Sequence, residues 1–215
     1  MRIALRLAER HDWVKVFDPR GGSVFVATPA PPPVGADIRV DLTLEDDGPR
    51  VILSGTVLWR RDAGDSDATD PAGCSVGLSV GDREKVNFLN GFVRGGLINR
   101  RERRRLPLRL PVTYGGLGGP EKTFTSDINE EGLFLLSGTP LPAGTVLHFV
   151  VALPARDPFE LRGRVTHAVP PGGEELAGMG VCFLPDAAQA GPLKQAIDEL
   201  ENSFLGGRLP DEIIS

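Results

Sequence analysis

Gly132-Leu133-Phe134-Leu135, the turn Pro140-Leu141-Pro142, Gly144 and Leu147-His148-Phe149 form a block that the chain has already used once. Ser23-Val24-Phe25-Val26, the prolines from Pro29 to Pro33, Gly35 and Ile38-Arg39-Val40 match it without a gap, 109 residues earlier. A one-residue shift then sets Ser54-Gly55-Thr56-Val57-Leu58-Trp59 on Arg162-Gly163-Arg164-Val165-Thr166-His167, and after a shorter intervening loop in the second copy residues 75–80 correspond to residues 178–183. A repeat of about a hundred residues is too long for a solenoid unit and indicates tandem domains.

Each copy reads as short strands followed by one helix. Residues 2–8, 12–17 and 37–44 alternate apolar and polar side chains, as half-buried strands do, and residues 23–28, 50–60 and 74–80 read as further strands, between turns rich in Gly, Pro and Asp. Val86, Leu89, Phe92 and Val93 then recur at helical spacing before Gly95-Gly96, and Leu193, Ile197, Leu200 and Phe204 do so before Gly206-Gly207. The fold class expected is all-β with minor α: two tandem six-stranded antiparallel barrels, each closed by a C-terminal helix whose apolar stripe covers one mouth. The expected division is 1–96 for the first barrel, 97–106 for a linker, 107–207 for the second barrel and 208–215 for a tail.

The linker is the unusual segment. Six of the ten residues from position 100 to position 109 are arginine, in a chain of 215 residues whose net charge is −5. Packing does not call for such a run, because an always-charged guanidinium is rarely buried unpaired, so an anionic partner or a flexible hinge is its natural reading. Twenty residues on stands Thr125-Ser126-Asp127-Ile128-Asn129-Glu130-Glu131-Gly132.

Paired Arg residues ahead of Leu106-Pro107-Leu108, the sequence Asp127-x-Asn129-x-x-Gly132-Leu133-Phe134, the Pro-x-Gly turn, Gly163-Arg164-Val165 and Gly178-Met179-Gly180-Val181-x-Phe183 together resemble the PilZ domain family. The resemblance covers about residues 98–204 and extends to 1–94 through the repeat. It implies a bacterial six-stranded barrel that binds the second messenger cyclic di-GMP through an Arg-x-x-x-Arg arm before the first strand and an Asp/Asn-x-Ser-x-x-Gly turn. The arm falls on Arg101 and Arg105, in front of a strand expected over 106–114, with Arg100 and Arg104 as a second register. The turn falls on Asp127, Asn129 and Gly132, where Asn129 departs from the family's serine. Motility, exopolysaccharide or biofilm control through an unidentified protein partner are the roles the resemblance implies.

These residue types suit such a ligand. Guanidinium forks clamp phosphate oxygens or the guanine O6/N7 edge and stack on bases, a carboxylate accepts from guanine N1 and N2 donors, and glycine allows close backbone approach. Glu130 and Glu131 are expected to face solvent or pair with spare arginines of the arm. In the first copy Asp18 falls at the spacing of Asp127, but Arg20 and Ser23 replace the Asn and the Gly and no arm precedes it, so that copy is expected not to bind. Ligand binding that orders the linker would reorient the two barrels.

Other functions find less support. The acidic balance and the lack of interleaved aromatics argue against a nucleic-acid module built on residues 100–109, which stands as an alternative beside a PilZ-like adaptor that binds only protein. His11, His148 and His167 are scattered and pair with no Cys, Asp or Glu at metal-ligand spacing, so neither a metal nor a cofactor is expected. Residues 115–120 are glycine-rich but lack Lys-Ser/Thr and read as a hairpin loop, and no nucleophile elbow appears, so no catalytic residues and no enzyme are expected. Trp13 and Trp59 are expected in cores or cross-strand pairs. Two distant cysteines and no apolar run of about 20 residues suit a protein of the cytoplasm, with no membrane partner.

Overall fold

A computed structural model describes residues 1–46, 48–65, 70–93, 105–173 and 175–214. The chain divides into two compact units, Met1–Ile98 with Leu205–Gly207 and Asn99–Phe204 with Arg208–Ser215. Among the described residues no helix is long and apolar enough to cross a membrane.

The first unit contains β1 (Arg2–Leu7), α1 (Asp12–Val16), β2 (Phe17–Asp18), β3 (Ser23–Ala27), β4 (Asp37–Leu44), β5 (Arg50–Arg61), β6 (Gly73–Leu78) and α2 (Arg83–Val93). Its six strands lie in the order β1-β4-β5-β6-β3-β2. The alternation read from the sequence holds along β4, where Ile38, Val40, Leu42 and Leu44 are buried. Arg2 and Arg6 are exposed on β1, as their alternation within the strand requires.

Two expectations fail here together. Residues 12–16 form helix α1 rather than a strand, and the sheet is open rather than a closed antiparallel barrel, with β1 running parallel to β4. The pattern of residues 12–17 also puts Trp13 and Phe17 four apart, which is one helical turn, and their rings stack at 4.8 Å. Trp13 is fully buried and its indole N–H donates to Asn90 Oδ1 of α2 at 2.9 Å. That packing turns the chain into α1, so β2 keeps only two residues and no long hairpin joins it to β1. Without that hairpin β1 enters beside β4 from the opposite direction, and the ladder does not close.

The second unit contains β7 (Pro111–Gly116), β8 (Gly119–Ile128), β9 (Gly132–Leu136), β10 (Val146–Val151), β11 (Phe159–Val169), β12 (Gly178–Phe183), α3 (Ala187–Leu205) and α4 (Asp211–Ile214). It is the closed barrel expected, ordered β10-β11-β12-β9-β8-β7 with every pair antiparallel. Leu133, Leu135, Val165, Met179 and Val181 fill its interior. Leu193, Ile197, Leu200 and Phe204 of α3 are buried, as their spacing predicts. Residues 115–120 form the hairpin between β7 and β8, with Gly116 opposite Gly119.

The strand expected over 106–114 begins later, at Pro111. Pro107 and Pro111 lack an N–H for a continuous ladder. Leu106, Leu108 and Leu110 are nonetheless buried, and Leu106 forms an isolated bridge with Ile128. Residues 208–214, expected within a tail, belong to the folded unit: Leu209 and Ile214 are buried and Arg109 N–H donates to Ile213 C=O at 2.7 Å.

Candidate functional site

Strand β8 carries the site, and its end is tied to the segment that follows the arginine run. Leu106 and Ile128 exchange backbone hydrogen bonds at 2.8 and 3.0 Å. Thr125 holds the same segment from its buried side chain: its hydroxyl donates to Leu108 C=O and accepts from Leu110 N–H at 2.9 Å. Between Thr125 and Asp127 the register of β8 shifts by a bulge, the local device that re-aims a side chain. Arg105 is thereby set beside Asp127. Thr125 was not legible as a site residue, because an alternating Thr in a strand gives no sign of its partner.

Arg105 Nη1 stands 2.5 Å from Asp127 Oδ1. The carboxylate is 6% exposed and the guanidinium 43%, so one end of the pair is dry and the other wet. Burial pushes the Asp127 carboxyl above its ordinary value, while the charge and hydrogen bond of Arg105, and the charge of His167, pull it back. The outcome is a buried acceptor held in line by a cation that can still turn other N–H donors to an anion.

Asn129 is buried, and its side chain shapes the turn. Oδ1 accepts from the backbone N–H groups of Glu131 at 3.0 Å and Gly132 at 2.9 Å, while Asn129 N–H donates to Gly132 C=O at 2.9 Å. A serine hydroxyl forms such local turns too, so the departure from the family pattern keeps this role of the position. Gly132 has its own cause: a Cβ there would sit 2.2 Å from Val181 C=O of β12, so the close backbone approach is by the neighbouring strand. Of the two glutamates, Glu130 pairs with Lys194 of α3 at 3.7 Å, and Glu131 is exposed. Arg100, Arg101 and Arg104 lie outside the described residues.

The first unit does not repeat this constellation. Phe17 pairs with Val24 as Ile128 pairs with Leu133, so the counterpart of Asp127 is Val16 and not Asp18. Asp18 instead pairs with Ser23 and accepts from Arg20 N–H at 2.9 Å, which is the local turn role of Asn129.

Residues 99–200 match the PilZ domain family. The second unit is a PilZ domain. Comparison with curated proteins gives no match. Among solved structures the chain is similar to the PilZ domain of CeSA from a cellulose-synthesizing bacterium, at 20% identity over 45% of this chain and 97% of that one, TM-score 0.36. It is similar to the inhibitor of motility MotI/DgrA of Bacillus subtilis, at 15% identity over 84% and 85%, TM-score 0.40. It is also similar to MrkH of K. pneumonia solved with c-di-GMP, at 16% identity over 85% and 76%, TM-score 0.39.

In the PilZ domain the described members of the expected ligand set come together at one end of β8: Asp127 on that strand, Asn129 in the turn after it, Gly132 at the start of β9, and Arg105 from the segment ahead of β7 that bridges to Ile128. The carboxylate and the guanidinium meet directly, whereas Asn129 and Gly132 serve the backbone of the turn. Among the described residues no group of three or more His, Cys, Asp or Glu could hold a metal ion.

Proposed function

We propose that this chain is a cyclic di-GMP receptor of the cytoplasm, acting without catalysis, whose PilZ domain takes the ligand between the arginine arm and the Asp127 turn. The Arg105–Asp127 pair carries the reading. A carboxylate buried to this degree beside a half-exposed guanidinium is a poor investment for stability alone, since desolvation cancels much of the Coulomb gain. It is well suited to a ligand that brings both an anion and a base edge rich in N–H donors. Arg105 would move part of its hydrogen bonding from Asp127 to a phosphate or guanine O6/N7, and Asp127 would accept from guanine N1–H and N2–H.

Arg100, Arg101 and Arg104 supply the remaining cations, Asn129 fixes the turn, and Gly132 lets β12 support it. Because the arm is also the connection between the units, ligand that orders it would reset their orientation and alter the surface offered to a protein partner in motility, exopolysaccharide or biofilm control. The first unit, which lacks the carboxylate, serves this output rather than binding ligand. Titration calorimetry with cyclic di-GMP tests the site: Arg105→Ala should weaken binding by about ten- to a hundredfold, from the loss of one charge-assisted contact. Binding unchanged in that variant would remove Arg105 from the site.

A further inference from the structure

The open sheet of the first unit has strand edges that the closed barrel of the second does not. One edge strand, β2, has two residues, whereas the other, β1, has six and contains no proline. Only β1 is long enough to template a further strand.

The β1–β4 ladder decides which backbone groups of β1 are taken. Arg39 N–H donates to Met1 C=O and Glu45 N–H to Leu7 C=O, both at 2.8 Å, in a parallel register that runs from Arg2 opposite Arg39 to Leu7 opposite Leu44. Residues bonded to the neighbouring strand alternate with residues that face away, so Ile3 and Leu5 join Met1 and Leu7 on the β4 side. The N–H and C=O groups of Arg2, Ala4 and Arg6 therefore point to the free edge. Ala4 and Arg6 are exposed, and among the described residues nothing takes their backbone groups.

The side chains set the chemistry of a strand that fits. Leu5 and Leu7 turn into the core, while Arg2, Ala4 and Arg6 stand on the opposite face. Arg2 donates to Asp41, which also accepts from Arg39 Nε at 2.6 Å, so two guanidiniums converge on one carboxylate. Arg6 pairs with no carboxylate among the described residues. Across a new ladder, opposite charges attract and like charges repel. A second copy of β1, laid antiparallel in the register that uses the whole strand, would set Arg2 against Arg6 at both ends.

We propose that the free edge of β1 docks a strand of a protein partner, acidic at the positions facing Arg2 and Arg6 and apolar on its inward side. Backbone ladder bonds supply the affinity, and the two arginines select the acidic strand. This gives a chemistry to the protein partner of the receptor reading. It depends on neither Arg105 nor Asp127, and its test uses no cyclic di-GMP, so either reading can fail alone.

The test uses the full chain and two fluorescein-labelled heptapeptides, one alternating Glu and Val and one alternating Lys and Val, followed by anisotropy. The Glu peptide should bind with a dissociation constant below about 1 mM, and the Lys peptide about three- to thirtyfold more weakly. Arg6→Glu should weaken the Glu peptide by about three- to tenfold and strengthen the Lys peptide. Ala4→Pro removes an outward N–H and spares the bonds to β4, as an edge strand tolerates, and should weaken both peptides about two- to tenfold. In hydrogen exchange of the unaltered chain, the Ala4 and Arg6 amides should exchange fast alone and gain protection at saturation with the Glu peptide, with Ile3 and Leu5 slow throughout. That readout needs no variant. Equal affinity for the two peptides, no binding of the Glu peptide at about 1 mM, or fast Ala4 and Arg6 amides at saturation overturns the proposal. Protection of those amides that rises with protein concentration in the absence of peptide overturns it too, because the occupant would then be a second copy.

Discussion

Asp127→Asn separates what the carboxylate does for the fold from what it does for a ligand. Asparagine keeps the shape and one acceptor toward Arg105, so a hydrogen bond to the charged guanidinium remains and what is lost is the carboxylate's own charge, about 1 kcal/mol for a pair whose cation is half-exposed. Against that loss stands the desolvation that pushes the Asp127 carboxyl above its ordinary 3.8. A carboxyl whose folded value is raised binds its proton more tightly in the native state. Its contribution to stability is therefore best in acid and declines as pH rises from 3.8 through the raised folded value. At pH 7 the variant should lie within about 1 kcal/mol of the parent in urea unfolding, comparing better there than at pH 4. Ligand binding responds quite differently, because the new amide presents donors to the donors of guanine, and a cost of about 2–3 kcal/mol, or about 30- to 150-fold in affinity, is expected by calorimetry. A variant destabilised by more than about 3 kcal/mol that still binds cyclic di-GMP at parental affinity would refute this reasoning, since Asp127 would then be a structural anchor.

Gly132→Ala should cost about 2–4 kcal/mol in chemical unfolding, because the added Cβ meets backbone at Val181 that cannot move alone; a loss below about 0.5 kcal/mol would show that β12 yields. Asn129→Ala should lose about 1–2 kcal/mol by freeing two turn N–H groups, and Asn129→Ser should recover at least half of it; equal stabilities for the two variants would mean that the side-chain oxygen does not hold the turn. Cys182 is exposed, whereas Cys74 is buried and its thiol is pushed up by desolvation, so a disulfide reagent should titrate one thiol per native chain and two after denaturation. Two thiols reacting at the same rate in the native chain would contradict the burial of β6.

Much of the second unit could be read from its residues, because alternation and helical spacing are direct records of which faces meet the core. The strands of the barrel, the 115–120 hairpin and the buried stripe of α3 all follow from such patterns. What escaped depends on partners far along the chain. α1 could not be read from residues 12–17, since their period fits a strand until Trp13 finds Asn90 seventy-seven residues away. The repeat was also misaligned at its end: Phe25 pairs with Ser75 where Phe134 pairs with Gly180, so Ser75 rather than Gly77 answers to Gly180. Short Gly-rich strands carry little to fix their register, and a slip by two residues leaves every side chain on its own face. Thr125 escaped for the same reason, as its role arises from hydrogen bonds to Leu108 and Leu110.

The two units show which part of the shared plan makes a site. Both keep the outer row of the middle strands: Phe25, Ser75 and Trp59 in the first unit, with rings 5.7 Å apart, and Phe134, Gly180 and His167 in the second. In the first unit Arg61 lies over the Trp59 ring and pairs with Asp70, so the row is occupied by the unit's own side chains. The difference arises one strand further along. Where the second unit has the long β8, bulged at its end to aim a buried Asp127 at Arg105, the first has α1 and a two-residue β2 that bring Val16 to the corresponding place. An aromatic row is thus common to both, and the carboxylate with its arginine is confined to the copy whose hairpin closes the barrel.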